Sequence, residues 1–208
     1  MSSLRLTNGE QSIGSSEIRN AVEDLGLHYA NRYDGEGVFA MPVLKGAKPF
    51  ADDLVEEMTD NGLSVVVHDI QISSMKGDKS TGEAEWLLPP PDDVAGRNIL
   101  LIEDIDDTRV TMGAIARALL GRGAKRVDIA ILLNKKHDRK IHKLENLGFD
   151  EVCHGFDIAD KFVIGYGLDW NQYFRTLDHI TTARVETDSF GKICVPDVRQ
   201  DPDYPLAA

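Results

Sequence analysis

The strongest constraint on the fold is a strand–helix–strand pattern between residues 98 and 136. Two apolar runs bound this segment, "NILLI" (98–102) and "RVDIAILLNKK" (126–136), and both have the character of buried strands. Apolar side chains between them fall on one helix face, at Met112, Ile115, Ala116, Leu119 and Leu120. Strand, helix and strand within fewer than 40 residues make a βαβ unit, which joins parallel strands. The chain is therefore predicted to form an α/β fold around a mostly parallel sheet flanked by helices.

The rest of the chain continues this alternation of helices and strands. One helix is predicted over residues 16–33, and another between Pro49, in its first turn, and Gly62, just past its end. Strands are predicted at 37–44 and 63–72, with weaker or shorter ones at 83–88, 151–156 and 162–170. The polar, glycine-punctuated stretch "SSMKGDKSTG" (73–82) predicts a β-hairpin or a flexible flap.

The length of 208 residues predicts one domain with short appended pieces. Residues 1–15 are polar and are expected to be loose, whereas residues 16–180 contain the predicted helices and strands. Residues 181–208 form a C-terminal extension, which could be an arm on a neighbouring subunit or a disordered tail.

Composition excludes several classes of protein. Hydrophobic residues make up 42% of the chain and charged residues 28%, which is enough apolar material for a packed core. The formal net charge of −12 argues against nucleic-acid binding, which needs a basic surface. Cys153 and Cys194 have no metal-type spacing and are expected to be packing residues in a reducing compartment. With neither a signal peptide nor a membrane span in the sequence, we expect a soluble cytoplasmic protein.

Four carboxylates follow the first strand of the βαβ unit within five residues: Glu103, Asp104, Asp106 and Asp107. In open α/β sheets, ligands bind beyond the carboxyl ends of the strands. The turn "DTRVT" then leads into a helix N-terminus, where free backbone N–H groups favour an anion. Acids beside an anion site suit a phosphorylated sugar, with its hydroxyls on the acids. The simpler alternative is a solvated acidic loop that caps the helix, although it does not explain acids directly after an apolar strand.

Four blocks resemble the type I phosphoribosyltransferases, specifically the hypoxanthine-guanine enzymes of purine salvage. "ILLIEDIDDTRVTM" is similar to that family's motif for 5-phosphoribosyl-1-diphosphate (PRPP), and "DKFVIGYGLDWNQYFRTLDHI" (160–180) to its purine and magnesium segment. "VLKGA" (43–47) matches the diphosphate loop, and "SSMKGDKSTG" stands where the catalytic flap belongs. The blocks follow in the family's order over residues 17–180.

This resemblance implies a Rossmann-like type I phosphoribosyltransferase fold with a flexible flap hairpin and a small hood. It implies transfer of the 5-phosphoribosyl group of PRPP to N9 of hypoxanthine or guanine, giving IMP or GMP and diphosphate. Mg²⁺ is the implied cofactor, and a homodimer or homotetramer is the implied assembly. Neither a nucleic acid nor a membrane is an expected partner.

The resemblance also implies roles for the acids and for a set of basic residues. Glu103 and Asp104 would face the ribose hydroxyls and the Mg²⁺–PRPP complex, and Asp169 would be a further metal ligand. Asp107 would exchange a proton with purine N7. The residues that would contact the diphosphate are Lys45, Gly46 and Arg175.

The remaining implied roles concern the 5′-phosphate and the base. The phosphate would lie on the turn formed by Thr108, Arg109, Val110 and Thr111. Lys135 would bind purine O6 and select a carbonyl over an amine, Phe162 would stack on the base, and the Val163 backbone would bind its far edge.

The sequence departs from the family pattern at the phosphate turn and in the flap. Arg109 replaces a glycine, Val110 an often basic residue and Asp106 an apolar one. Arg109 could serve with an ordinary φ or by binding the phosphate itself; a left-handed arginine would carry strain. In the flap, Ser74 and Met75 replace a serine–tyrosine pair.

These departures leave other functions open. A phosphoribosyltransferase-fold protein that binds a nucleotide or PRPP and regulates, with little turnover, is one alternative. An enzyme that prefers xanthine is a second. A receiver-type signalling domain also uses strand-end acids with threonine and lysine, but it would not account for the block at 160–180.

Overall fold

The computed structural model describes residues 5–6, 12–72, 86–138, 140, 143 and 146–184. The flap residues Ser74 and Met75, Cys194 and the extension beyond residue 184 lie outside the described residues. Within them the strands are β1 Arg5–Leu6, β2 Ser12–Ile13, β3 Val38–Pro42, β4 Val65–Val67, β5 Gln71–Ile72, β6 Trp86–Leu88, β7 Asn98–Asp106, β8 Arg126–Lys136, β9 Glu151–Ala159, β10 Val163–Ile164 and β11 Ile180–Arg184. The α-helices are α1 Ser15–Arg32, α2 Lys48–Asp60 and α3 Val110–Gly121.

The central sheet has the strand order β4-β3-β7-β8-β9, and every neighbouring pair is parallel. The predicted βαβ unit is β7-α3-β8, and its two strands are direct neighbours. The predicted α/β class with a mostly parallel sheet is therefore confirmed. Because the strands are parallel, their carboxyl ends meet at one edge of the sheet, where the acids of β7 lie.

Helices cover both faces of this sheet. One apolar cluster joins α1 and α2 to the sheet, through residues such as Tyr29, Phe50 and Leu100. A second cluster, which includes Ile115, Leu101 and Ile129, packs α3 against the opposite face. Since both faces are covered, the inner strands are apolar along most of their length, as expected for a parallel sheet.

The predicted strand over 63–72 is broken into two pieces. β4 pairs with β3, whereas β5 pairs antiparallel with β6 in a separate two-stranded sheet. β5 and β6 flank the flap segment on either side, whereas the predicted hairpin or flap itself (73–82) lies outside the described residues. The predicted strand over 162–170 is also shorter than expected, because residues 165–167 turn with positive φ after β10.

A third sheet, of four short strands, combines the two ends of the described chain. β11 pairs antiparallel with β1, β2 and β10. Residues 5–6, 12–13 and 181–184, which the sequence placed outside the domain, thus lie in strands. Ile164, Trp170, Phe174 and Ala183 pack together on this sheet.

Candidate active site

The predicted site residues gather at the carboxyl ends of β3, β7 and β8. Residues 44–47 form a turn directly after β3, and the Leu44–Lys45 peptide bond is cis. Glu103 and Asp104 lie in the last part of β7, whereas Lys135 lies near the end of β8. The loop after β10 adds Asp169 and Arg175.

Glu103 and Asp104 form an acid pair, of which Glu103 is buried and Asp104 is half-buried. Glu103 is 8% exposed, and its pKa is raised well above the ordinary range by burial and by repulsion from Asp104. Burial also raises the pKa of Asp104. Arg175 acts in the opposite direction on Asp104 because its positive charge favours the ionised form. Adjacent carboxyl groups with raised pKa values at a strand end mark this position as a candidate functional site.

Gly46 lies directly against Asp104. A Cβ at position 46 would be 1.6 Å from Asp104 Oδ2, so only glycine fits there without movement. The loop after β10 covers the same turn, because a Cβ at Gly167 would be 2.1 Å from the Gly46 carbonyl oxygen. The predicted diphosphate loop and the predicted metal segment are therefore in contact.

Arg175 and Asp169 are joined in this loop. Arg175 donates from Nη1 to the Gly167 carbonyl at 2.5 Å, and its Nη2 lies 2.6 Å from Asp169 Oδ1. The Arg175 Nε is buried and has no hydrogen-bond partner within the described part of the chain. Lys45 is exposed and pairs with no acid there. Beside the acid pair, the site thus has a buried donor without a partner, Arg175 Nε, and a cation without a salt bridge, Lys45, within the described residues.

Asp107 and Lys135 meet where β7 and β8 end. Lys135 Nζ lies 3.2 Å from Asp107 Oδ2, and only 8% of Lys135 is exposed. His137 Nε2 is 2.9 Å from Asp107 Oδ1. An ionised carboxylate only accepts hydrogen bonds, so Nε2 would be the donor whenever Asp107 is ionised. The predicted proton acceptor and the predicted O6 ligand are therefore neighbours.

The turn after β7 adopts the strained conformation that glycine would allow. Arg109 has φ 67° and ψ 5°, the left-handed region, which costs a non-glycine residue roughly 1 to 2 kcal/mol. α3 begins at the next residue, Val110, and has no acid in its first turn, so its positive end is not neutralised there. The Arg109 guanidinium binds the carboxylate of Asp106. Thr108 precedes Arg109 in this turn, and Thr111 is the second residue of α3.

The two remaining purine residues lie at the start of β10. Phe162 is 40% exposed, which is unusual for a phenylalanine and leaves its ring free to meet a ligand. Val163 is buried and pairs with Thr182 of β11. The stacking and edge-binding roles of these residues stay predictions.

Sequence reasoning missed three polar residues around the acids. His137 contacts Asp107, while Lys140 contacts both Asp106 and Asn134. The polar and basic run "NKKHDRK" (134–140), which begins in the last three residues of β8, is the only sequence signal for them. The acids that they contact, Asp106 and Asp107, lie at the end of β7, so these contacts depend on the register between β7 and β8.

A group of possible metal ligands occurs elsewhere, at His28, Glu151 and Cys153. Glu151 begins β9, at the edge of the sheet opposite the acids. Arg32 Nε lies 3.0 Å from this carboxylate and already supplies a positive charge. Burial raises the pKa of the Cys153 thiol and disfavours the thiolate that binds metals. Cys153 packs against the apolar core, as predicted.

Comparison with known proteins places the chain in a family. The sequence profile described as "Phosphoribosyl transferase domain" matches residues 14–170. The chain therefore belongs to the phosphoribosyltransferase family. None of the described helices is long and apolar enough to cross a membrane.

The similar proteins are hypoxanthine-guanine phosphoribosyltransferases. The one from Staphylococcus aureus strain Mu50 is 31% identical over 180 residues, which cover 86% of this chain and 96% of that protein. The one from Canis lupus familiaris is 33% identical over 172 residues, covering 78% of this chain and 75% of that protein. A crystal structure of the Bacillus anthracis protein has a TM-score of 0.74 at 26% identity, covering 87% of this chain and 99% of that one.

The predicted family, fold and enzyme class are thereby confirmed: a type I phosphoribosyltransferase, which is a pentosyltransferase. The receiver-type alternative is wrong, because the family match extends over the central sheet and into the 160–180 block.

Proposed function

We propose that this enzyme transfers the 5-phosphoribosyl group of PRPP to N9 of hypoxanthine or guanine, giving IMP or GMP and diphosphate. The contact between Asp107 and Lys135 carries this proposal, because the two side chains lie 3.2 Å apart beside an uncapped helix N-terminus. N7 and O6 occupy one edge of a 6-oxopurine, so one base could engage both residues. The names of the similar proteins support the same substrates.

The residues of the site match the charges that the reaction develops. The C1–O bond to diphosphate breaks while the C1–N9 bond forms, which builds positive charge on the ribose. Glu103 and Asp104 would stabilise that charge, whereas Lys45 and Arg175 would stabilise the leaving diphosphate. The imidazole ring of the purine loses one proton, and Asp107 would accept it at N7.

Mg²⁺ is the cofactor that we propose for this site. Glu103, Asp104 and Asp169 would hold it, because Mg²⁺ prefers oxygen ligands. The raised pKa values of Glu103 and Asp104 fit a divalent cation, which would favour their ionised forms. When bound, Mg²⁺ neutralises charge on the diphosphate.

A base panel tests the reaction. Purified protein would be incubated with PRPP, Mg²⁺ and hypoxanthine, guanine, xanthine or adenine, and the nucleotide products separated by chromatography. IMP and GMP should form, and adenine should react at least about 10²-fold less efficiently, because it offers Lys135 an amine instead of a carbonyl. Omission of Mg²⁺ should abolish product formation.

The other outcomes of this panel discriminate between the alternatives. Preferential formation of xanthosine monophosphate would shift the substrate to xanthine. No product from any base, together with tight GMP binding, would favour a regulatory binding protein. Efficient reaction with adenine would contradict the role of Lys135.

The contact between Gly46 and Asp104 gives a second prediction. Gly46→Ala would place a Cβ 1.6 Å from Asp104 Oδ2, so the acid or the turn must move. We expect the KM for PRPP to rise by about tenfold or more, with a smaller change in the KM for guanine. Steady-state kinetics would measure both constants.

Gly121→Ala is the matched control for Gly46→Ala. Position 121 ends α3, and a Cβ there meets nothing within 4 Å. This variant should retain the kinetic constants of the parent protein. If Gly46→Ala left the KM for PRPP unchanged, the proposed diphosphate loop would be misassigned.

We also infer a cytoplasmic location and a homo-oligomeric assembly, a dimer or a tetramer. The low cysteine content supports a reducing compartment. Light scattering of the purified chain would measure the assembly directly.

A further inference from the structure

Two departures from the family pattern, Asp106 and Arg109, contact one another in the structure. Asp106 is fully buried, although the family has an apolar residue at this position. Arg109 donates from Nε to Asp106 Oδ1 at 3.0 Å and from Nη2 to Oδ2 at 2.7 Å. This two-point contact is the strongest geometry for an arginine and a carboxylate. The same arginine holds the left-handed conformation that glycine would adopt without strain.

Lys140 joins this pair from the segment after β8. Its Nζ lies 2.7 Å from Asp106 Oδ2 and 2.5 Å from Asn134 Oδ1. The Lys140 side chain is 13% exposed, so both of its contacts are shielded from water. One carboxylate thus contacts two cations, so the group of Asp106, Arg109 and Lys140 carries one net positive charge.

The sheet register explains how these groups meet. Asp106 of β7 is aligned with Asn134 of β8, and Asn134 with Asp157 of β9. Asn134 Nδ2 donates to Asp157 Oδ1 at 2.7 Å. The neighbouring residues Ile105 and Leu133 pack on the α1–α2 face of the sheet. The polar row therefore faces the α3 side, beneath the phosphate turn.

We propose that Asp106 is a positioning residue for the phosphate turn, acting through Arg109 and Lys140. Its carboxylate holds Arg109 in the left-handed conformation, so that the backbone N–H groups of the turn point at the 5′-phosphate. Lys140 restores the positive charge that Val110 lacks. Asp106 and Arg109 together thus take the place of the glycine of the family pattern, and Lys140 takes the place of its basic residue. This inference rests on the proposed function, which assigns the turn to a phosphate.

A double-mutant cycle tests this role. The variants are Asp106→Ile, Arg109→Gly and the double variant, which restores the family residues at both positions. Calorimetric titration would give the Kd of each variant for GMP and for guanosine in the presence of Mg²⁺. The ratio of the two Kd values reports binding of the phosphate alone, and a general loss of structure would change both Kd values equally.

Asp106→Ile should weaken GMP binding by about tenfold, since Arg109 and Lys140 lose their shared carboxylate. Arg109→Gly should weaken it by about fivefold, because Asp106 then cancels the charge of Lys140. The double variant should return to within about threefold of the parent, because glycine needs no partner and Lys140 keeps its charge. Guanosine binding should change by less than about twofold throughout.

Three results would overturn the proposal. The first is an unchanged GMP affinity in Asp106→Ile. The second is a double variant whose loss of GMP affinity is the product of the losses in the two single variants. The third is a loss of guanosine affinity as large as the loss of GMP affinity. If Asp106→Ile did not fold, Arg109→Gly would decide, because glycine relieves the strained φ; unchanged GMP affinity there would also overturn the proposal. Asp93→Ile is the control, since Asp93 forms an exposed pair with Arg97 and should leave the GMP affinity unchanged.

The proposed function and this inference fail in different ways. If the parent protein forms GMP from PRPP and guanine but the variants do not show the expected GMP affinities, only the role of Asp106 is overturned. A parent protein that neither forms nor binds GMP would overturn both.

Discussion

Asp107→Asn should lower kcat by about 10²- to 10³-fold while changing the Kd for GMP by less than about fivefold. Asparagine keeps the size of the side chain and an oxygen that can still accept from Lys135, which lies 3.2 Å away. It has no basic oxygen to receive a proton from the purine. Turnover should therefore fall with little effect on binding. Steady-state kinetics with guanine and PRPP would give kcat, and calorimetry would give the Kd for GMP.

Asp160→Asn is the matched control for this experiment. Asp160 Oδ1 lies 3.9 Å from the same Lys135 Nζ, so the substitution also removes a negative charge near that lysine. Because the pair is longer and Asp160 is partly exposed, kcat should change by less than about fivefold. If Asp107→Asn lowered kcat and GMP affinity to the same extent, Asp107 would be a structural residue. His137 and Lys135 would then be the groups that it positions.

The sequence predicted those features that depend on local pattern. A parallel sheet could be predicted from the apolar runs of β7 and β8 and from the apolar helix face between them. A ligand-binding site at the carboxyl edge of the sheet could be predicted because Glu103 and Asp104 lie at the end of a strand. Strand-end acids are informative because parallel strands bring their carboxyl ends to one edge.

Features that depend on contacts across strands could not be predicted. His137 meets Asp107, thirty positions away in sequence, only because β7 and β8 are in a particular register. The same holds for Lys140 and Asp106, which are 34 positions apart. A shift of the register by one residue would turn each side chain to the other face of the sheet.

The conformation of Arg109 was open for a different reason. Local propensity disfavours the left-handed region for arginine, whereas the family has a glycine at this position, so the sequence left the φ of Arg109 undecided. The observed φ of 67° is held by contacts with the buried Asp106. The contact with Asp106 thus offsets the backbone strain at Arg109. The sequence alone did not indicate this role, because Asp106 is one of four acids within five residues.

Asp128 is the buried charge with the largest expected contribution to stability. It lies at the start of β8, is fully buried, and faces α1. Arg32 donates to it from Nε at 2.5 Å and from Nη2 at 2.9 Å, and the Tyr33 hydroxyl donates at 2.6 Å. The contact with Asp128 raises the pKa of Arg32, and burial raises that of Tyr33. These contacts join the last turn of α1 to the central sheet.

Asp128→Ala should lower the free energy of unfolding by about 3 to 5 kcal/mol, because it leaves a cation and a buried hydroxyl without their shared acceptor. For a chain of this length the Tm should fall by roughly 6 to 20 °C. Urea denaturation and calorimetry, each at two protein concentrations, would separate this loss from dissociation of an oligomer.

The exposed pair of Asp93 and Arg97 provides the control for Asp128→Ala. Asp93→Ala should cost less than about 1 kcal/mol, because solvent screens that pair. Asp128 lies seven strand residues before Lys135, about 20 Å from the site, so kcat measured well below the Tm should be unchanged. A loss of stability no larger than that of Asp93→Ala would mean that Arg32 finds an equivalent partner. Glu151, whose carboxylate is 3.0 Å from Arg32 Nε, would be that partner, and Asp128→Ala combined with Glu151→Ala would then show the missing stability.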